Sequence, residues 1–223
     1  MPLASGCVRR YLQGVTRDLT FSRASARLQY RLLMGLFRVA VTRGLYGRLA
    51  RGLARLFPAG NSVWLHEGGA PPFRISLDDG YWTRFALYHA PYEPEVAAVL
   101  HAARGATPLF CDLGANTGYW TTRAAPLFER VIAVEAARAT FARLEANAAH
   151  LSNVTLHRAA IHARTGETMT FVNTHLSHAS ARLASGGAAT DADRTETVET
   201  LAIDALVPAG RPALIKLDVE GAE

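Results

Sequence analysis

Two carboxylates and two glycines stand where chemistry could be done. Asp112 lies near the end of the apolar run Leu109–Leu113, and Gly114 and Gly118 follow directly, bracketing Ala115-Asn116-Thr117. Glycine lets the backbone turn tightly and lets a ligand approach it closely. In an open parallel sheet, ligands bind at the carboxyl ends of the strands, so a strand, a glycine turn and a helix start form a cofactor pocket by position. Dinucleotide-binding loops read G-x-G-x-x-G and aim a helix N-terminus at a pyrophosphate. Here the spacing is Gly114-x-x-x-Gly118, the middle glycine is absent, and an acid just before the turn would repel a pyrophosphate. That carboxylate suits the ammonium of a methionine moiety, directly or through water. Glu135 closes the next apolar run, residues 131–134, 17 residues past Gly118. An acid at that strand end can accept hydrogen bonds from both ribose hydroxyls. Together these residues read as a site for S-adenosylmethionine, with Asp112, Gly114, Asn116, Gly118 and Glu135 binding the cofactor. Ala160 and Ile161 follow the third strand, where the adenine lies in this kind of fold; core packing accounts for them nearly as well.

The elements that must position these residues can be read from apolar periodicity. Residues 62–66 and 73–77 alternate like a β-hairpin around Gly68-Gly69. Residues 94–104, 119–128 and 139–150 are predicted helices, the last with Phe141 and Leu144 on one side. Leu109–Leu113, 131–134, Val154–His157 and 214–219 are predicted strands, and 168–172 with 197–203 a further pair around a polar, glycine-rich stretch. Strands alternating with helices of ten to twelve residues imply right-handed βαβ units and a mostly parallel sheet, an α/β fold of Rossmann-like type.

Charge divides the chain. Residues 1–60 carry eleven arginines and one acid, Asp18, while the remainder is net acidic. The expected domains are therefore an arginine-rich helical segment over residues 1–60 and a cofactor-binding domain over 61–223. A basic head on an acidic body argues against a nucleic-acid partner. Residues 22–57 read as helix, with Arg23, Arg27, Arg31 and Arg38 on one face and Arg48, Arg51 and Arg55 aligned beyond them. Such a segment packs its apolar side on the domain or on a second subunit, or lies against anionic lipid. No secretory signal and no apolar run of spanning length is present. The two cysteines, Cys7 and Cys111, give no disulfide framework, and Cys111 sits in a strand run as a buried thiol. The expected location is cytoplasmic, with peripheral contact at the inner membrane face as the second reading. His175 and His178, near Asp191 and Asp193, match no tight ligand spacing, so no metal site is assigned.

The stretch Ile215-Lys216-Leu217-Asp218-Val219-Glu220-Gly221-Ala222-Glu223 closely resembles the signature of the FkbM family of methyltransferases. The glycine loop, residues 131–135, Phe141 with Leu144 and Asn147, Asn153-Val154, Gly166 and Asp204 follow in family order, so that the resemblance covers roughly residues 80–223. Ala136 departs from it, standing where the family usually has proline. The resemblance implies a class I, Rossmann-like O-methyltransferase acting on a hydroxyl of a sugar, glycolipid, polysaccharide or polyketide-type metabolite. An alcohol needs a base to take its proton at or during transfer, and alignment of the reacting atoms supplies much of the acceleration. The end of the last strand faces the cofactor crevice, which makes Asp218 the first candidate for general base. Glu220 and Glu223 follow it, and Lys216, the only lysine in the chain, is placed to fix one of these carboxylates or to form a plain ion pair. A magnesium ion on Asp218 and Glu220 is chemically reasonable but not required. Glu93 and Glu95 precede the first strand; Glu95 favours a helix N-terminus, and Glu93 stands where the family often has an acid near the pocket.

Two other classes compete with this reading, a nicotinamide-dependent oxidoreductase and a non-catalytic Rossmann-like protein held at a membrane or on a partner. Because a class I sheet normally has further strands, the chain is also expected to be incomplete after Glu223 and inactive as it stands.

Overall fold

The structure is a computed structural model and describes residues 17–40, 46–87, 92–173, 181–183 and 194–219. It divides into two compact units, Met1–Ala98 and Val99–Glu223. This division falls later than the composition break after residue 60, because strands beyond Asn61 pair with one that precedes the helices.

In the first unit, β1 (Arg17–Phe21) is followed by helices α1 (Ala24–Ala40) and α2 (Tyr46–Ala54), then β2 (Ser62–Glu67), β3 (Phe73–Ser76) and the short helix α3 (Trp82–Leu87). The strands form an antiparallel sheet in the order β1-β2-β3. The hairpin over β2 and β3 agrees with the alternation in the sequence, and its Gly68 and Gly69 both take positive φ. Strand β1 was not anticipated, although Leu19 and Phe21 are half-buried while Asp18 and Thr20 are exposed, the period-two pattern of a strand. Of the helical stretch expected over 22–57, Ala24–Ala40 and Tyr46–Ala54 are helix, and residues 41–45 lie outside the described residues.

Helix α1 packs on this sheet through Ala26, Gln29, Tyr30 and Leu33, all buried. Tyr30 meets Phe21 edge-on at 5.2 Å, and Phe37 meets Tyr46 of α2 at 5.1 Å. Buried Gln29 is satisfied on both sides, accepting from Asn61 Nδ2 at 2.8 Å and donating to the Leu77 carbonyl at 3.2 Å. Asp79 accepts from the Tyr81 and Trp82 amides at 2.9 and 3.0 Å, so it caps α3.

Helix α4 (Pro94–Ala103) crosses the division between the units. The second unit continues with β4 (Leu109–Leu113), α5 (Tyr119–Ala124), β5 (Arg130–Val134), α6 (Arg138–Ala148), β6 (Val154–His157), β7 (Ala160–Ile161), β8 (Thr168–Asn173), β9 (Ala181–Leu183), β10 (Arg194–Leu201), α7 (Ile203–Leu206) and β11 (Ala213–Leu217). Four strands form a parallel sheet in the order β11-β4-β5-β6. A second sheet runs β7-β10-β8-β9, with β10 parallel to β7 and antiparallel to β8. Ile203 belongs to α7 and not to the preceding strand. Helix α5 is shorter than the expected 119–128, because Pro126 has no N–H to offer the next helical bond; turns reach Phe128 instead.

The parallel sheet has two covered faces. On one, Leu109, Cys111 and Leu113 of β4 join Ile132, Val134 and Leu206. On the other, Ala133 packs with Leu144 and Ala148 of α6, and Phe110 stacks on Phe128 at 5.4 Å. Burial pushes the free Cys111 thiol up to about 11, so it packs as a small apolar group. Among the described residues, no helix is long and apolar enough to cross a membrane.

Candidate active site at the carboxyl edge of the sheet

Strand order dictates where a crevice opens. From β4 the chain proceeds to β5 and β6 on one side, then places β11 on the other side of β4. The loops after β4 and β11 leave on either side of a topological switch point, where open α/β sheets bind ligands. Asp112, Glu135, Lys216 and Asp218 all lie at or just beyond the carboxyl ends of these strands.

Asp112 is fully buried. It pairs in register with Ala133 on one side and Lys216 on the other, so its side chain shares their face of the sheet. Its Oδ2 accepts from the Thr121 hydroxyl at 2.7 Å, and its Oδ1 has no hydrogen-bond partner and faces Lys216 Nζ at 3.6 Å. Burial raises the Asp112 carboxyl above its ordinary range, and Lys216 and the Thr121 hydroxyl pull the other way. Lys216 also donates to Asp218 Oδ2 at 3.2 Å. The lysine therefore joins a buried acid on β4 to an exposed one beyond β11, two of the carboxylates named from the sequence.

The glycine loop is fastened from three directions. The Gly114 and Ala115 amides both donate to the Val134 carbonyl, at 3.0 and 2.9 Å. Asn147 of α6 donates to the Thr117 carbonyl at 2.8 Å. The Asp218 amide donates to the Leu113 carbonyl at 2.9 Å, carrying the β4–β11 pairing into the loop. Gly114 has φ 78° and lies so close to the Asp218 backbone that a Cβ would overlap its carbonyl oxygen. Gly118 has φ 89°, and there a Cβ would meet the Leu144 side chain at 2.7 Å. Asn116 takes φ 52°, a left-handed conformation that asparagine tolerates better than most residues. Its side-chain oxygen accepts from the Thr117 amide at 2.8 Å.

Glu135 closes the loop. Oε2 accepts from the Asn116 amide at 3.0 Å and Oε1 from the Ala137 amide at 2.9 Å. Burial raises its carboxyl above the ordinary range, and the Ala137 and Asn116 amides offset part of that. The Ala136 amide acts on the same carboxylate, so three backbone amides face about four acceptor positions and room is left for a single further donor such as a ribose hydroxyl.

Ala160 sits on β7 and packs with Ala137 and Val198. Glu93 belongs to the first unit and takes φ 41° just before α4, and Glu95 lies in the first turn of that helix. Glu220, Gly221 and Glu223 lie outside the described residues, as do His175, His178, Asp191 and Asp193. Sequence reasoning missed Thr121, the hydroxyl partner of Asp112, and did not foresee that Asn147 holds the loop. It also missed Arg123, buried with its guanidinium 3.9 Å from the centre of the Tyr119 ring and bonded to the Thr122 hydroxyl at 3.0 Å. The available signal for Thr121 was its place in the first turn of the helix after the glycine loop.

A switch-point glycine loop, three strand-end acids and a four-strand parallel sheet flanked by helices define a mixed α/β fold of the Rossmann-like methyltransferase kind. The model of the methyltransferase FkbM domain matches residues 112–223, half of the chain, and the chain belongs to the FkbM methyltransferase family. Among solved structures, the crystal structure of methyltransferase FkbM from Methylobacillus flagellatus KT is similar at 19% identity, with a TM-score of 0.31. The match covers 52% of this chain and 26% of that one, so the chain spans about a quarter of that protein's length. A comparison with curated proteins found no match.

Proposed function

We propose that this chain holds S-adenosylmethionine at the carboxyl edge of its parallel sheet and serves O-methylation of a hydroxyl on a sugar, glycolipid, polysaccharide or polyketide-type metabolite. The observation that carries this reading is the convergence of Asp112, Glu135 and Asp218 on the loops around the switch point, with Gly114 pressed against the Asp218 backbone. FkbM membership supports the methyl donor over the nicotinamide alternative.

The residues fit such a cofactor. Asp112 Oδ1 is buried, makes no hydrogen bond and has Lys216 Nζ at 3.6 Å, so an ammonium reached directly or through water would share that oxygen with the lysine. Glu135, held by backbone amides, has an acceptor position left for a ribose hydroxyl. Gly114 and Gly118 let the loop pack closely on the Asp218 backbone and the Leu144 side chain, which sets its turn. When bound, the sulfonium supplies an electrophilic methyl carbon for in-line displacement by the acceptor oxygen. The chain's own part is alignment and proton handling. Asp218 takes the hydroxyl proton as the new C–O bond forms, and Lys216 positions that carboxylate. Glu220 and Glu223, on the same stretch, are the further candidates to orient the acceptor.

Calorimetric titration tests the cofactor half. Glu135→Ala and Asp112→Ala, each verified as folded, should weaken S-adenosylmethionine binding by roughly ten- to a hundredfold, since a hydrogen bond to a charged group contributes about 1.5–3 kcal/mol. Unchanged affinity would remove that residue from the pocket. A radiolabelled methyl-transfer assay on the protein, against cell-envelope glycans and metabolite extracts, tests the rest. There Asp218→Asn should lower turnover far more than cofactor affinity, and near-native turnover would rule it out as the base.

A further inference from the structure

We infer that the outward faces of α1 and α2 form a docking surface for an anionic lipid bilayer. The inference rests on the first unit alone and is independent of the catalytic reading.

The buried residues of α1, named above, leave a second, exposed face. Arg23, Arg27 and Arg31 run along it at intervals of four, with Leu28 and Leu32 beside them. Helix α2 repeats the arrangement. Its buried residues are Tyr46 and Ala50, and Arg48, Leu49, Arg51, Arg55 and, just past its end, Leu56 are exposed. Leu28 is 53% exposed and Leu56 79%. Seven large hydrophobic residues are exposed among those described, and four of them are these leucines. Singly exposed leucines are ordinary; four on two adjoining helices, each beside arginines, are not.

Charge identifies the occupant. Residues 22–60 contain eight arginines and no aspartate or glutamate. A helix face that only meets water usually mixes both signs, because opposite charges three or four apart support the helix. A face of one sign demands an anionic partner. Leucines among the arginines select lipid over nucleic acid. An acyl boundary takes up aliphatic side chains while the headgroups take the guanidinium groups, whereas a single-stranded nucleic acid calls for aromatic stacking. The exposed face of these helices offers leucine and no exposed aromatic ring.

The test is co-sedimentation of the whole chain with sucrose-loaded vesicles of phosphatidylserine and phosphatidylcholine, beside pure phosphatidylcholine vesicles. The expected result is binding to the anionic vesicles only, released by added sodium chloride. Each arginine at such a surface strengthens partitioning about fivefold, so a variant with Arg31→Ser, Arg48→Ser and Arg55→Ser should bind roughly a hundredfold more weakly. Leu28→Ser with Leu56→Ser should also weaken binding at unchanged charge, which a purely electrostatic contact would not show. All substituted side chains are exposed, and circular dichroism confirms that each variant is folded. Wild-type protein left in the supernatant with anionic vesicles at low salt would overturn the inference. So would leucine variants that bind like wild type, or binding to a single-stranded RNA oligonucleotide that excludes vesicles.

Discussion

Lys216→Met removes the cation that faces Asp112 and leaves the rest of β11 intact. Asp112 is 1% exposed and the Lys216 side chain 16%, so water does little to screen the orphaned acid. Removing one partner of a buried pair costs about 3–5 kcal/mol. The lower end applies here, because Asp112 keeps its Thr121 bond and can neutralise itself by taking up a proton. A loss of about 3 kcal/mol corresponds to a roughly hundredfold larger opening equilibrium for this unit. The chain has two compact units, so hydrogen exchange read on peptides across Leu109–Leu113 is a better probe than a global melt. The pH dependence carries a sign. Burial raises the folded-state pKa of Asp112, so the folded state binds protons more tightly than the unfolded chain. Its contribution is least costly below the unfolded value near about 4, and stability declines as pH rises through the folded value. Lys216 limits that decline, so the gap between variant and wild type should widen with rising pH and close towards about pH 4. Adding Asp112→Asn should recover most of the loss, because no buried charge is then unpaired. Equal exchange in variant and wild type at about pH 8, or a double variant no better than Lys216→Met, would refute this account.

Gly114→Ala should cost more than the roughly 1 kcal/mol of a left-handed φ alone, and more than Gly118→Ala, because its methyl meets a backbone carbonyl while the other meets a movable leucine tip; chemical denaturation giving the reverse order would sink this. Asn153→Ala loses side-chain bonds to the Ala125 and Phe128 carbonyls at 2.8 and 2.9 Å and should destabilise the second unit by about 1–3 kcal/mol, seen as faster exchange after α5. Asp79→Ala should cost about 0.5–2 kcal/mol as a lost cap, confined to amides of the first unit.

The parts of the fold that were legible are those where one physical signal dominates. Strands β4 and β5 are short apolar runs buried in a parallel sheet, and the glycines after β4 mark the turn whatever the rest of the chain does. Strand β1 escaped notice because five residues of mixed character become a strand only once β2 is beside them. Ile203 continues an apolar run in sequence, yet the chain turns into α7 there, where Asp204 takes the first helical turn. At the site, acids at strand ends could be named one by one. That a lysine would join Asp112 to Asp218 depends on which strand lies beside β4, and only the strand order fixes that. Thr121 acts through its bond to Asp112 and Asn147 through its bond to the loop, and composition and period encode neither.

The β4–β11 pairing has a bearing on how the sheet assembles. Strand β11 is about a hundred residues from β4 in sequence, and none of its side chains is buried; Ile215 and Leu217 are 39% and 44% exposed. Apolar burial therefore discriminates weakly among alignments of this strand. Charge discriminates better. A slip of one residue sends Lys216 to the opposite face, leaving Asp112 without a cation. A slip of two places either Leu214 or Asp218 opposite it, the second setting one carboxylate against another. Only the native alignment, with Lys216 opposite Asp112, neutralises the acid already enclosed on β4. The same ammonium that orders the site thus works as a proofreading key, admitting β11 in one register and rejecting its neighbours.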